Sequence, residues 1–294
     1  MSSQFVHLHL HSEYSLANSL IRVDEVIAKA RQLGMPAIGL TDKANICGLV
    51  KFYKAALGAG IKPIVGVDAW IENEQNPNSP TRLTLLVKDK PGYRNLCRLL
   101  DRAYRSGQHN GKACIKKAWF SEFGEGLIAL SGAQEGEFGY ALQQASADRL
   151  SQLIDEYCGF FGNRFYIELR RVGKPHEEEY IAEAIRWAAL KGLPVVATND
   201  VNFISPENFQ NHEVRVCIHE GRILSDKRRP RVFTDQQYFR SSAEMADLFS
   251  DIPEAMRNTM EIARRCNFVM DMGNYYLPRF EVGKAKSVDQ TLAD

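Results

Sequence analysis

Short apolar runs and amphipathic stretches alternate along most of this chain, and few architectures accommodate that rhythm. Val23, Val26, Ile27, Ala30 and Leu33 recur at helical spacing after Ser19, which the pattern predicts as an N-cap, and Gly34 with Pro36 stops the helix. A strand is predicted over Ala37 to Thr41, a helix on Leu49, Phe52, Tyr53 and Ala56, and a strand over Lys62 to Trp70. The beat continues with a strand over Arg82 to Val87 and a helix over Tyr93 to Arg105. Further strands are predicted over Leu127 to Ser131, Arg164 to Leu169 and Pro194 to Thr198, separated by helical stretches around Tyr140, Leu150 to Phe161 and Glu177 to Lys191. About seven strand-helix units in 294 residues predict an α/β protein with a parallel sheet and helices outside, as a closed barrel or a doubly wound sheet. No Gly-x-Gly-x-x-Gly follows the first strand, which argues against a dinucleotide crevice.

That first strand, Phe5 to Leu10, is the unusual one. Alternate side chains of a strand share a face, so His7, His9 and His11 are expected on one side and Val6, Leu8 and Leu10 on the other. A column of imidazoles suits a transition-metal site; the plainer alternative is a row of hydrogen-bonded core histidines. His9 together with His11, then Asp42, Asp68, Ser131, Glu168 and Asp200, fall at or just past the ends of six different predicted strands, where barrel enzymes collect their functional groups. This selects the barrel.

A formal net charge of +1 lacks the basic excess of a self-sufficient nucleic-acid binder. The basic stretch Lys227 to Arg231 reads as a solvated loop, between helices over Asn208 to His219 and Pro253 to Arg265. Six dispersed cysteines with no Cys-x-x-Cys, no apolar leader and no membrane-length apolar run predict a cytoplasmic protein. Ser287 to Asp294 reads as a capped helix that has barely begun, so more protein is expected beyond it.

Leu8-His9-Leu10-His11-Ser12, Thr41-Asp42 with Asn45, Gly60 to Gly66, Leu127 to Gly132, Val196 to Asp200 and Asn258 to Ala263 together resemble the polymerase-and-histidinol-phosphatase (PHP) domains of bacterial DNA polymerase III alpha subunits. The resemblance implies a PHP domain over 1–275 and, from Tyr276-Leu277-Pro278 onward, the start of a linker into a polymerase palm over 276–294. It also implies a distorted seven-stranded β/α barrel with a trinuclear metal site, which in intact members serves phosphoesterases and metal-dependent 3′-5′ exonucleases.

Carried over by motif, the ligand positions held by His9, His11, Asp68 and Asp200 survive. Those at Asn18, Lys43, Arg82, Ala133 and Asn202 are substituted, Lys43 and Arg82 by permanent cations. If both cations reach the rim they are expected to pair with Asp68 or Asp200 and to repel a divalent ion. The expectation is therefore a vestigial site with no catalytic residues and no cofactor, any divalent metal being weak and held by His9, His11, Asp68 and Asp200. Glu168 and Arg170 are given no part in chemistry, and Glu135 and Glu137 read as solvated.

By family resemblance the module buttresses the polymerase body and docks the proofreading exonuclease subunit. Its partners would be that subunit and the remaining alpha-subunit domains, with DNA met only through the full polymerase, a DNA-directed nucleotidyltransferase, and no membrane. The alternative is a residual metal-dependent phosphoesterase, 3′-5′ exonuclease or pyrophosphatase.

Overall fold

A computed structural model describes residues 4–74, 76–144, 147–274 and 289. The linker expected over 276–294 and the helix expected at its end therefore lie outside the described residues, apart from Asp289. The strands are β1 (Ala37–Leu40), β2 (Lys62–Ile71), β3 (Thr81–Val87), β4 (Gln108–His109), β5 (Lys112–Ile115), β6 (Leu127–Leu130), β7 (Phe165–Arg170) and β8 (Val195–Thr198). They run in the order β4-β5-β2-β3-β6-β7-β8, with β1 pairing β2. Helices α1 (Val23–Gln32), α2 (Leu49–Gly58), α3 (Lys90–Ser106), α4 (Phe120–Phe123), α5 (Glu137–Gln144), α6 (Ala147–Phe161), α7 (Glu177–Lys191), α8 (Phe209–Glu220), α9 (Ser242–Leu248) and α10 (Pro253–Arg265) complete the elements. None of the described helices is long and apolar enough to cross a membrane.

The sheet is mixed rather than wholly parallel. β3 runs antiparallel to both β2 and β6, because no helix intervenes between β2 and β3 to carry the chain back across the sheet. The reversal has a functional consequence. It brings Arg82, at the start of β3, opposite Trp70 near the end of β2, and Thr84 opposite Asp68. A parallel β3 would have put Arg82 at the other end of the sheet.

The segment expected as the first strand is extended but forms no continuous ladder. Gly39 N–H donates to the His7 carbonyl at 2.7 Å, Thr41 N–H to that of Leu10 at 2.9 Å, His11 N–H to that of Val201 at 2.9 Å, and Val201 N–H to that of His9 at 3.1 Å. The segment thus lies between β1 and the chain just past β8. β4 and β5, which were not expected, form a short hairpin through Asn110-Gly111, both at positive φ as a tight two-residue turn requires.

Ser19 does not cap α1. That place falls to Arg22, with no side-chain bond, while the Ser19 hydroxyl donates to the carbonyls of His11 at 2.7 Å and Asn202 at 2.9 Å. It ties the first segment to the loop after β8. His7 is also placed differently from expectation, against Phe5 and Phe239, with Nε2 bonded to the Arg240 carbonyl at 2.8 Å. Burial pushes its imidazole down to about 4. It is a neutral core histidine and not a member of the cluster below.

The amphipathic α3 buries Leu96, Leu99, Leu100 and Ala103 in the main core, while Tyr104 is exposed. Its entry is close-packed, since a Cβ on Gly92 would lie 1.9 Å from the Gly126 carbonyl oxygen. Gly92→Ala is expected to cost about 2–3 kcal/mol through overpacking, read as a fall in melting temperature; an unchanged melt would contradict the close approach.

Candidate metal centre

Alternation on each strand decides which polar groups meet. On β7, Glu168 and Arg170 share a face, and β8 sets Thr198 opposite Arg170. On β2, Asp68 and Trp70 share a face, and on β3 so do Arg82 and Thr84. His9 and His11 enter between them from the N-terminal segment.

Four expected ligands converge. His9 Nε2 lies 3.3 Å from Asp68 Oδ2 and 3.6 Å from Asp200 Oδ1; His11 Nε2 lies 3.4 Å and 3.1 Å from the same atoms. All four side chains are nearly inaccessible to solvent. Glu168 sits behind His9, with Oε1 2.9 Å from Nδ1. A carboxylate on the far nitrogen orients an imidazole and determines which nitrogen faces inward. Glu168 also accepts from Gly132 N–H at 3.0 Å, Thr198 Oγ1 at 2.6 Å and Arg170 Nε at 3.2 Å. Burial alone would raise its pKa, but the Arg170 guanidinium and His9 outweigh that and hold it well below the usual carboxylate range.

Arg170 ties the cluster together. Beyond Glu168, its Nη1 lies 3.6 Å from Asp200 Oδ2 and 3.7 Å from Glu135 Oε2. Asp200 is likewise held as an anion against burial by His11 and Arg170, and its Oδ2 accepts from Gln237 Nε2 at 2.7 Å. Glu168 and Arg170, given no part in chemistry from the sequence, are an ion pair at the rim, Arg170 Nε lying 3.2 Å from Glu168 Oε1. The pair contacts both His9 and Asp200, and its i, i+2 spacing on one strand was the available signal. Glu135 is solvated as expected, its side chain 43% exposed, and is paired with Lys174 at 2.6 Å, whereas Glu137, 19% exposed, is held by Lys117 at 2.9 Å.

The substituted positions behave unequally. The Arg82 guanidinium, 3% exposed, stacks 4.0 Å from the Trp70 ring centre and pairs through Nη2 with the Asp68 carboxylate. That is the internal ion pair expected. Lys43 departs from expectation, reaching neither Asp68 nor Asp200. Its Nζ donates to Asn18 Oδ1 at 3.3 Å and stands 5.9 Å from the ring centres of Trp70 and Phe233. Burial, then the nearby Arg82 charge, push the lysine down to about 7. Asn202 turns its amide back onto the Asp200 carbonyl at 2.7 Å, and Ala133 packs into the main apolar core.

Asp42 does not join the cluster, although it follows a strand. Its carboxylate accepts from Ser12 N–H at 2.6 Å, Ser12 Oγ at 2.8 Å and Ser15 Oγ at 2.6 Å, bracing the turn that holds His11. Asp42→Ala is expected to lower the unfolding free energy by about 2–4 kcal/mol, the cost of several charge-assisted bonds to buried donors; a loss within about 0.5 kcal/mol, the range of ordinary surface changes, would contradict that role.

The donors present fit a single divalent ion. His9, His11 and Asp68 each offer a ligand atom, all within 4.8 Å of one another, and His9 Nε2 and Asp68 Oδ1 are buried without a hydrogen-bond partner. Two imidazoles with Asp68 and Asp200 form a legitimate mononuclear set. They do not fit a cluster, because Asn18, Lys43, Arg82, Ala133 and Asn202 supply no further anionic or imidazole donors and Arg82 already holds Asp68.

A family model described as "PHP domain" matches residues 7–172, more than half of the chain. DNA polymerase III subunit alpha from Pseudomonas aeruginosa is 48% identical over 99% of this chain, and that from Escherichia coli K12 45% identical over 97%; the chain spans about a quarter, 25%, of the length of each. Among solved structures, an amidohydrolase from Chromobacterium violaceum aligns with a TM-score of 0.48 at 15% identity, over 71% of this chain and 96% of that one. The chain belongs to the PHP domain family, and along nearly its whole length it is similar to DNA polymerase III alpha subunits.

Proposed function

We propose that this chain is the amino-terminal domain of a replicative DNA polymerase alpha subunit in the cytoplasm, and that it serves there as a scaffold rather than a phosphoesterase. It steadies the polymerase body and docks the proofreading exonuclease subunit. DNA synthesis belongs to the remaining length of the subunit. The observation that carries this reading is the Arg82 guanidinium on Asp68. A cation from the chain occupies a carboxylate that a metal cluster would need as a ligand, and a second, Lys43, stands at the rim. Without closely spaced ions there is no bridging hydroxide and no metal-borne hold on a phosphate.

The second reading, a residual metal-dependent hydrolase, is favoured by the unpartnered His9 Nε2 and Asp68 Oδ1. Such an ion would supply a Lewis acid. Around it, His9 and His11 would be fixed by Glu168 and Ser15.

Two assays separate the readings. Calorimetric titration of the chain with the exonuclease subunit is expected to give a specific complex, and incubation with a phosphomonoester or labelled DNA plus zinc or manganese is expected to give no turnover. Turnover abolished by His9→Ala would reverse the assignment, and the absence of any complex, even with the full-length subunit, would remove the docking role.

A further inference from the structure

Between α8, ending at Glu220, and α9, beginning at Ser242, the chain forms no helix or strand and makes one isolated bridge, Tyr238 with Phe203. Connections that long are uncommon in a compact domain, and those that occur often serve as lids. The two halves of this one are held very differently. From Thr234 onward it is sewn to the barrel. Thr234 Oγ1 donates to the Val172 carbonyl, Asn202 N–H to that of Gln237 at 2.9 Å, Asn199 Nδ2 to those of Gln236 and Tyr238, and Phe239 N–H to that of Phe203 at 3.0 Å. Over 221–233, every residue is exposed save Asp226, Arg229 and Phe233. Apart from the Phe233 ring, one side chain fixes that stretch to the body: Arg229 Nη2 lies 2.5 Å from Glu213 Oε2 on α8, both side chains buried. Its other described hydrogen bonds stay within the stretch or reach back to the last turn of α8.

Phe233 stands edge-on to the His212 ring, 4.5 Å between centres. With Val232, Asn18, Lys43 and Trp70 it also lines a cleft of about 490 Å³ that reaches Asp200. Gly221, at φ 65°, offers a pivot at one end of the stretch, and the sewn Thr234 fixes the other. Burying a pair of charges costs desolvation that offsets much of their attraction. Opening would return both groups to water, so a stretch held by this one pair lies near balance between closed and open. We propose that residues 221–233 are a lid on the rim cleft, hinged at Gly221 and Thr234, latched by Arg229 on Glu213 and closed by Phe233. The lid goes beyond the scaffold reading and holds whether or not the cluster carries an ion.

His212 reports the state of the lid. Its Nε2 donates to the Asn18 carbonyl at 2.9 Å, which leaves Nδ1 a lone pair without a hydrogen-bond partner, shielded by packing alone. His7 has the same arrangement, Nε2 on the Arg240 carbonyl and Nδ1 unpartnered, but lies in the core, and so serves as the internal control. The test is the rate at which diethyl pyrocarbonate modifies each histidine of the native 294-residue chain, resolved by peptide mass mapping. Slow modification of His212 is expected in the native chain. Glu213→Gln and Arg229→Met should each speed it about tenfold, the easier opening that follows loss of one charge-assisted contact, with His7 unchanged. Equal His212 rates in the native chain and both variants would overturn the latch. A rise shared by His7 would mean general loosening and would overturn the lid, as would native His212 reacting as fast as the exposed His176.

Discussion

Arg82→Met will lower the unfolding free energy by about 3–5 kcal/mol, and a divalent cation will restore part of that loss. The Asp68 side chain is 4% exposed and its partner Arg82 3%, so removing the guanidinium strands a carboxylate whose Oδ1 already lacks a hydrogen bond. The same change exposes Asp68 Oδ2 to His9 and His11 with no competing cation. A metal ion that binds only the folded variant stabilises it by about 2.7 kcal/mol at a hundredfold excess over its dissociation constant. Urea unfolding of the native chain and Arg82→Met, each in chelator and in zinc or manganese, reads both effects. Equal stability of the two chains in chelator would show that the pair does not matter. An equal metal response in the native chain would show that Arg82 does not compete with the ion.

Glu168→Leu is the second large expected loss, again about 3–5 kcal/mol. It removes the acceptor of Gly132 N–H, Thr198 Oγ1 and Arg170 Nε at once and frees the His9 ring. Because much of the penalty is the stranded Arg170 charge, adding Arg170→Met to Glu168→Leu should recover part of the stability. The double variant is expected to fall short of the sum of the single losses by about 1–3 kcal/mol. Simple additivity in urea melts would mean that Glu168 and Arg170 act separately.

Much of the architecture could be read from local pattern. α7 and α10 run over the residues predicted for them, and β2, β6, β7 and β8 shift by only a residue or two at their ends. Strand direction was not readable, since the residues of β3 do not reveal which way it runs. The antiparallel course depends on a connection without a helix, and it is what delivers Arg82 to the rim. The β4–β5 hairpin was missed although Asn110-Gly111 announces it, and with it the placement of Lys112 beside Trp70.

At the site, His9, His11, Asp68 and Asp200 were found because each follows a motif at a strand end. Local sequence does not indicate where a long side chain goes once it arrives. Lys43 bends to Asn18 instead of the aspartates, and Asp42 turns toward the serines of the first loop rather than the rim. His7 illustrates the converse limit. Period-two spacing placed it with His9 and His11, but the segment forms no regular ladder there, and the ring packs against Phe239.

The claim that the chain's own arginine has displaced a metal cluster is tested most directly by elemental analysis of the native 294-residue chain after equilibration with excess zinc or manganese and removal of unbound metal. At most one weakly held ion per chain is expected, rising to one firmly held ion in Arg82→Met. Two or three tightly held ions in the native chain, lost on His9→Ala, would contradict the account.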